Sequence, residues 1–175
     1  MLEGIARIMP DEASPVDQRT SVSSAVDIVI PVYANGGQVR ACLSSVLAHH
    51  NEMQGDIVVV NDCSPEPAIH QYLAALADQA LITLLTNEQN EGFIVSCNRG
   101  AAVHPDNDFV LLNADTEVHG NWLERMVSHV ESGAKVATVT PFSNNATIAS
   151  YPKGATKPES GEDVPIAAID QAMAA

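Results

Sequence analysis

The side chains best suited to chemistry in this sequence are acidic and amide groups that follow four separate apolar runs. Asp62 comes directly after one such run, and Asp115 follows another by a few residues. Carboxylate oxygens can ligate a hard divalent cation or accept hydrogen bonds from the N–H groups of a ligand. The polar set suits a ligand with many hydroxyl groups and a phosphate bridged by a divalent metal. Its members are Tyr33, Asn35, Asn61, Asp62, Ser64, Asn87, Asn90, Glu91, Gly92, Asn113, Asp115, Thr116 and Glu117.

Five short apolar runs predict the strands that would position these side chains. They lie at residues 26–32, 57–60, 81–85, 109–112 and 136–140. Between them, apolar residues recur at helical spacing, and helices are predicted over about 93–103 and 122–130. This alternation is typical of an α/β fold, here a three-layer α/β/α arrangement around a mostly parallel sheet. Because ligands bind beyond the carboxyl ends of such strands, we expect the polar set to converge on one edge.

Length, charge and missing motifs limit the classes of protein that this sequence can represent. A chain of 175 residues is long enough for one domain of ordinary size. With 8 basic and 22 acidic residues, the formal charge is −14, so neither a nucleic acid nor an anionic lipid surface is an expected partner. The sequence contains no GxxxxGK[ST] motif, and no GxGxxG motif follows a strand. A P-loop enzyme or a Rossmann dehydrogenase is therefore disfavoured.

Targeting signals and cysteine usage favour the cytoplasm. No apolar run approaches the ~20 residues of a membrane span, so no transmembrane segment is predicted. Residues 1–10 lack the apolar centre of a secretory signal. Cys42, Cys63 and Cys97 are odd in number and show no CxxC spacing, which favours free thiols in a reducing compartment.

Four segments, in the same order along the chain, resemble the motifs of family 2 glycosyltransferases. They are residues 27–33, 60–64, 90–100 and 111–118, and the resemblance covers roughly residues 26–150. The resemblance is to the subgroup that builds bacterial polysaccharides and O-antigens, and it implies the Rossmann-like GT-A fold. We accordingly expect a flexible lead-in at 1–24, a nucleotide-sugar-binding domain at 25–152, and an irregular tail with a short helix at 153–175.

The resemblance assigns a divalent cation, Mg²⁺ or Mn²⁺, to the segment after the fourth strand. Asp115 resembles the last position of the family's D-x-D motif, whose carboxylate binds the cation on the sugar diphosphate. Such a cation prefers oxygen ligands and offsets charge on the leaving diphosphate. Asn113 stands at the first motif position, where its amide can still hydrogen-bond a ribose hydroxyl. An alternative for Asp115 stays open, since it could instead cap the helix near His119. Glu117 could support the cation, but it is more readily interpreted as a solvated acid in the first turn of a helix.

Four further residues resemble the nucleotide-binding positions of the family. Asp62 resembles the acid that accepts a hydrogen bond from N3–H of uracil or thymine, and Tyr33 resembles the aromatic residue beside the base. Gly92 begins a helix whose N-terminal amides could face phosphate, and Asn98 lies within that helix, which closes the pocket in the family. The alternatives are turn chemistry for Asp62 and Gly92 and the end of an edge strand for Tyr33.

The resemblance leaves the catalytic residue unknown. Family members that invert the anomeric centre need a general base, which comes from a later acidic motif. Glu162 and Asp163 are acidic, but they precede the strands of the acceptor half. We therefore expect the base to be absent from this chain and the chain to be truncated before the acceptor half.

The sequence thus predicts the donor-binding part of a glycosyltransferase that acts in cell-surface polysaccharide synthesis. Its nucleotide-sugar donor would be a uridine or thymidine diphosphate sugar, and its acceptor a glycan or a lipid-linked molecule. It would be cytoplasmic, with peripheral attachment at the inner membrane as a further option. Two alternatives stay open. One is a noncatalytic nucleotide-sugar-binding fragment or partner subunit. The other is a nucleotidyltransferase. Such an enzyme has a glycine-rich basic loop, and residues 35–40 resemble that loop only loosely.

Overall fold

The computed structural model describes residues 25–49, 54–131, 136–141 and 143. Strands and helices alternate strictly in this part of the chain. In chain order they are β1 (Val26–Val32), α1 (Gly36–Ala48), β2 (Gln54–Asn61), α2 (Pro67–Asp78), β3 (Thr83–Thr86), α3 (Phe93–Ala101), β4 (Asp108–Leu111) and α4 (Trp122–Val130).

The strands form one parallel sheet in the order β3-β2-β1-β4. At its centre, Ile28 pairs with Ile57 on one side and with Val110 on the other. The chain winds outwards from β1 to β3 and then returns to place β4 on the far side of β1. Strand order reverses between β1 and β4, and in open α/β sheets such a reversal leaves a crevice at the carboxyl ends of the strands.

One face of the sheet carries the larger core. Ile28 and Ile30 of β1 are fully buried there with Ile57 and Val59 of β2, beneath α1 and α2. Leu123 and Val127 of α4 pack against Val26, which belongs to the same alternating set of β1. α1, α2 and α4 therefore cover this face.

The opposite face is covered by α3, which packs very closely. Val29 of β1 and Val58 and Val60 of β2 form a second buried cluster on this side. Gly100 of α3 lies against them, because a Cβ atom there would collide with Cγ1 of Val29 and lie 3.2 Å from Cγ2 of Val60. Helices on both faces of a parallel sheet confirm the predicted three-layer α/β/α architecture.

Two strand predictions need correction. The run predicted as 81–85 begins as a strand only at Thr83, because Leu81 belongs to the capping motif that follows α2. Its N–H donates to the carbonyl of Leu76 at 3.0 Å, Ala80 donates to Ala77 at 2.9 Å, and Ala80 is left-handed with φ 55°. These two bonds form a Schellman motif, in which the chain still satisfies helix carbonyls.

The predicted fifth strand, 136–140, is wrong within the described residues. Residues 136–141 have no regular secondary structure, and Ala137, Thr138 and Thr140 are exposed. No register pairs this segment with any of the four described strands, and without a neighbour a strand leaves its backbone groups unpaired. The lead-in, the tail, Glu162 and Asp163 lie outside the described residues. Of the helices that are described, none combines the length and the apolar character needed to cross a bilayer.

The close approach of α3 predicts a specific sensitivity. Gly100→Ala should lower the free energy of unfolding by about 1–3 kcal/mol, the usual cost of inserting a methyl group into a packed core. The measurement is urea unfolding followed by circular dichroism. Gly37→Ala on α1 is the matched control, because a Cβ atom there meets nothing within 4 Å. Equal stabilities for the two variants would contradict the packing of α3.

Candidate functional site

The polar segments after the strands do meet at one edge of the sheet. Backbone hydrogen bonds extend the ladder past the strand ends: Asp62 donates to Val32 at 2.8 Å, Asn87 to Asn61 at 2.9 Å, and Leu112 to Val29 at 3.0 Å. These bonds hold the loops after β2, β3 and β4 beside one another. The predicted convergence at the carboxyl edge is confirmed for the described loops.

A cleft of about 310 Å³ opens at this edge. Tyr33 and Phe93 line it and are 47% and 56% exposed, so both aromatic residues are accessible to a ligand. Asp62 lies in the lining and is 4% exposed. The complete lining is Pro31, Val32, Tyr33, Asp62, Asn90, Gly92, Phe93 and Ser96.

Asp62 is a buried carboxylate surrounded by hydrogen-bond donors. Oδ1 accepts from Nδ2 of Asn87 at 2.7 Å and from the backbone N–H of Glu91 at 2.8 Å, and Oδ2 accepts from the N–H of Gly92 at 2.8 Å. Burial by itself raises the pKa of Asp62, but these three donors and the hydroxyl of Ser96 outweigh it and hold the pKa below its usual range. The site therefore contains a buried anion.

Gly92 supports this anion and needs to be glycine. Its φ of 86° lies in the region that side chains rarely adopt, and this conformation directs its N–H to Asp62. The amide is consequently occupied within the protein rather than facing phosphate. A role at phosphate for the first-turn amides of α3, which follow Gly92, stays a prediction.

The turn that presents Asp62 is fixed by its own side chains. Asn61 is buried, and its Oδ1 accepts from the N–H of Ser64 at 3.0 Å while its Nδ2 faces Nδ1 of His70 at 3.0 Å. Nε2 of His70 lies 2.8 Å from the carbonyl of Ser64 and donates to it. Asn61 Nδ2 must then donate to Nδ1, which defines the neutral Nε2–H tautomer of His70.

A carboxylate also ties this turn to the loop that carries Tyr33. Glu66 accepts from the N–H of Asn35 at 2.8 Å and from that of Gly36 at 3.2 Å. Asn35 is left-handed, with φ 66°, and α1 begins directly after it. The loops after β1 and β2 are thereby joined on one side of the cleft.

The loop that carries Asp115 is anchored to α1. The thiol of Cys42 contacts the carbonyl of Asn113 at 3.5 Å, and the hydroxyl of Ser45 accepts from the N–H of Val118 at 3.0 Å. Burial raises the pKa of Cys42 to about 12; the backbone amide of Thr116 lowers it, and the charges of Asp115 and Glu117 add to the rise. Cys42 is thus a neutral thiol beside an acidic loop. All three cysteines are free, as the sequence predicts.

The structure divides the predicted site residues into two groups. Tyr33, Asp62 and Gly92 come together in the cleft, whereas Asn98 is exposed on α3 and does not line it. Asn113 and Asp115 are exposed in the loop after β4, also outside the lining. Across the described ranges, no three His, Cys, Asp or Glu side chains gather closely enough to hold a metal ion.

The sequence did not single out two residues of this site, Phe93 and Ser96, which line the cleft. Asn87 belongs to the predicted polar set, and its side chain donates to Asp62. A signal existed for Phe93 and Ser96, because positions three apart at the start of a helix share one face. Once Gly92 is placed at the cleft, Phe93 and Ser96 follow.

Comparison with known protein sequences identifies relatives of one kind. Residues 27–167 match the family described as "Glycosyl transferase family 2". Glycosyltransferase AglE of Haloferax volcanii is 27% identical over 143 residues, which are 80% of this chain and 45% of that protein. An uncharacterized glycosyltransferase of Haemophilus influenzae is 23% identical over 117 residues, which are 67% of this chain and 36% of that protein. The chain thus spans less than half the length of these two relatives.

Solved structures show the same fold. S. aureus TarS 1–349 superposes with a TM-score of 0.53 at 15% identity, over 61% of this chain and 32% of that one. GalNAc-T7 with UDP, GalNAc and Mn²⁺ superposes with a TM-score of 0.54 at 21% identity, over 61% of this chain and 21% of that one. These likenesses confirm an α/β fold of the GT-A type.

The buried anion predicts an acid-sensitive stability. Because the folded pKa of Asp62 is lowered, its ionised form stabilises the fold above the unfolded value of about 3.9, and the stabilisation disappears as pH falls through the folded value. Asp62→Asn should lower the free energy of unfolding at pH 7 by about 1–3 kcal/mol, since an amide donor then faces other donors. The deficit should shrink at pH 3. Urea unfolding at both pH values measures it, with Asp78→Asn, at the exposed end of α2, as the control. A deficit that is the same at pH 3 as at pH 7 would contradict the role of the charge.

Proposed function

The chain belongs to glycosyl transferase family 2, and from this premise we propose that it binds the donor of a glycosyl transfer reaction, a uridine or thymidine diphosphate sugar. The acceptor would be a glycan or a lipid-linked molecule, and the pathway the synthesis of a cell-surface polysaccharide. Two structures of relatives by fold, TarS and GalNAc-T7, hold UDP. This observation supports the choice of a nucleotide donor.

The cleft at Asp62 is the observation that carries the proposal. A pyrimidine base is flat, so it can lie against the exposed rings of Tyr33 and Phe93 while its edge reaches Asp62. The N–H donors already take three of the roughly four acceptor positions of a carboxylate. The remaining donor is the hydroxyl of Ser96, which can rotate away and leave a position for N3–H. Uracil and thymine have this donor, and cytosine does not.

The metal would be held by one protein carboxylate and the donor itself. Asp115 lies exposed in a loop with a second acid, Glu117, two residues later. Mg²⁺ commonly binds through one or two carboxylates together with phosphate oxygens and water, so this donor set fits a cation that arrives with the diphosphate. When bound, Mg²⁺ or Mn²⁺ would neutralise charge on the leaving diphosphate. Asn113, with its exposed side chain, would bind a ribose hydroxyl, and Asn98 would contribute to the closing helix.

The roles of this chain's residues are therefore positional. Asp62 and the two rings would orient the base, and the loop after β4 would orient the diphosphate at the edge where the strands end. Deprotonation of the acceptor is assigned to no described residue. The cytoplasmic location and peripheral attachment at the inner membrane stay predictions.

The base site predicts nucleotide discrimination. Calorimetry should show that UDP binds more tightly than CDP, because cytosine leaves the acceptor of Asp62 unpaired. Phe93→Ala should weaken UDP binding by about 1–3 kcal/mol, the usual value of one base–aromatic contact. Ile94→Ala is the matched control, since Ile94 is the next residue, is 74% exposed and does not line the cleft. Equal affinities for UDP and CDP, or equal losses in the two variants, would overturn the base site.

The assignment of a metal to Asp115 predicts that the affinity for UDP depends on a divalent cation. Mn²⁺ should raise the affinity for UDP, and Asp115→Asn should remove that increase while leaving the metal-free affinity nearly unchanged. Titrations with Mn²⁺ and with EDTA measure both quantities, and Asp78→Asn again serves as the control for one lost charge. An increase that persists in Asp115→Asn would show that another residue holds the cation.

A further inference from the structure

We propose that Arg99 is a positioning residue of the cleft, which acts on Asp62 through the side-chain amide of Asn87. The inference deepens the proposed function and rests on it in one respect, namely that the cleft binds a pyrimidine nucleotide. The arrangement itself is a chain of three side chains from three elements: Arg99 from α3, Asn87 after β3 and Asp62 after β2.

Asn87 is the centre of this chain, and both the nitrogen and the oxygen of its side-chain amide are hydrogen-bonded. It is 3% exposed. Its Nδ2 donates to Oδ1 of Asp62 at 2.7 Å and to Oγ of Ser96 at 3.0 Å, and its Oδ1 accepts from Nη1 of Arg99. Arg99 is held in place by a second bond, from Nη1 to the carbonyl of Thr86 at 3.2 Å.

The charges at the two ends fix the orientation of the amide. Its N–H₂ group faces an anion and its oxygen faces a cation, so the reversed orientation would place oxygen against carboxylate and N–H₂ against guanidinium. The four donors to Asp62 are all uncharged. Within the described part of the chain, Arg99 is a cation linked to the carboxylate through one intervening amide. Hydrogen bonds in such a chain polarise one another, so the donor from Asn87 is strengthened.

The position of Asp62 decides what the cleft can recognise. Oδ1 is occupied by Asn87 and Glu91, which leaves Oδ2 and Ser96 on the side towards a ligand. If Arg99 is removed, the amide of Asn87 loses the partner that holds its oxygen away from Asp62. A rotated amide would release Oδ1, the carboxylate would turn, and the acceptor would no longer point at the base. Arg99 thus acts without touching the ligand.

Other titratable groups surround Asp62 and must be separated from Arg99 in any test. They are Tyr33 from the loop after β1, Cys63 next in the chain and Glu91 from the loop after β3. The side chain of Glu91 accepts from Nε2 of Gln89 at 2.8 Å. A signal resolved for Asp62 alone separates its response from that of these groups.

The first measurement needs no nucleotide. The ¹³Cγ signal of Asp62 is followed against pH in the full chain by nuclear magnetic resonance. Arg99→Gln should move the midpoint of Asp62 to higher pH, because a cation and an aligned donor are lost. Arg99→Lys, which keeps the charge, should restore part of the difference. Arg40→Gln is the matched control, since Arg40 carries the same charge but stacks on Tyr72 at 4.1 Å, on the outer side of α1 and α2.

The second measurement is the affinity for UDP as a function of pH. Arg99→Gln should weaken binding about fivefold at pH 7, the change expected for the loss of one hydrogen bond of ordinary strength. Asp62 must be ionised to accept N3–H. As the pH is lowered, UDP binding by Arg99→Gln should therefore be lost at a higher pH than UDP binding by the wild type. Arg40→Gln should change neither quantity.

The two measurements separate the two proposals. If UDP does not bind to the wild type while the midpoint of Asp62 shifts in Arg99→Gln, the proposed function fails and the link from Arg99 to Asp62 stands. If UDP binds but Arg99→Gln and Arg40→Gln give the same midpoint and the same affinity, the positioning role of Arg99 is overturned.

Discussion

The ionised carboxylate of Asp62 is the contact on which the carboxyl edge of this sheet depends. It receives donors from a side chain after β3, from two backbone amides in the loop before α3, and from a hydroxyl inside α3. Without it, buried N–H groups that come from separate parts of the chain would lose their common acceptor. One charge thus joins β2, β3 and α3, and the cleft exists because these elements are held together at that point.

A second buried carboxylate stands at the opposite edge of the same sheet. Asp27 is 4% exposed and accepts from the N–H of Asp56 at 2.9 Å and from Nδ2 of Asn107 at 3.2 Å, while Nδ1 of His104 lies 2.8 Å from its other oxygen. The two sites differ in their surroundings. Asp27 is bonded by one backbone amide and two side chains and does not line the cleft, whereas Asp62 does. Both carboxylates join separate segments of the chain, but only Asp62 leaves an acceptor beside the cleft.

The sequence predicts the central part of this architecture well, because buried parallel strands are continuous apolar runs. β1 and α4 begin and end where the sequence places them, and Tyr33, Asp62 and Gly92 meet as expected. Boundaries are less predictable where a residue adopts an unusual conformation, as Ala80 does at the end of α2. The bond from Asn87 to Asp62 was also beyond prediction, since it joins residues 25 apart whose meeting depends on the register of β2 and β3. Segment 136–140 has a strand-like composition, but composition does not supply a neighbouring strand.

The carboxylate of Glu66 has an effect on α1 that reaches beyond joining two loops. A helix N-terminus carries a partial positive charge and unpaired N–H groups, which makes it a natural place for an external anion. In α1 this end already has an anion from the protein, bound at 2.8 Å and 3.2 Å. The helix dipole is thus compensated internally, and a phosphate approaching this end would meet negative charge. The fold therefore excludes anions from the loop that follows β1.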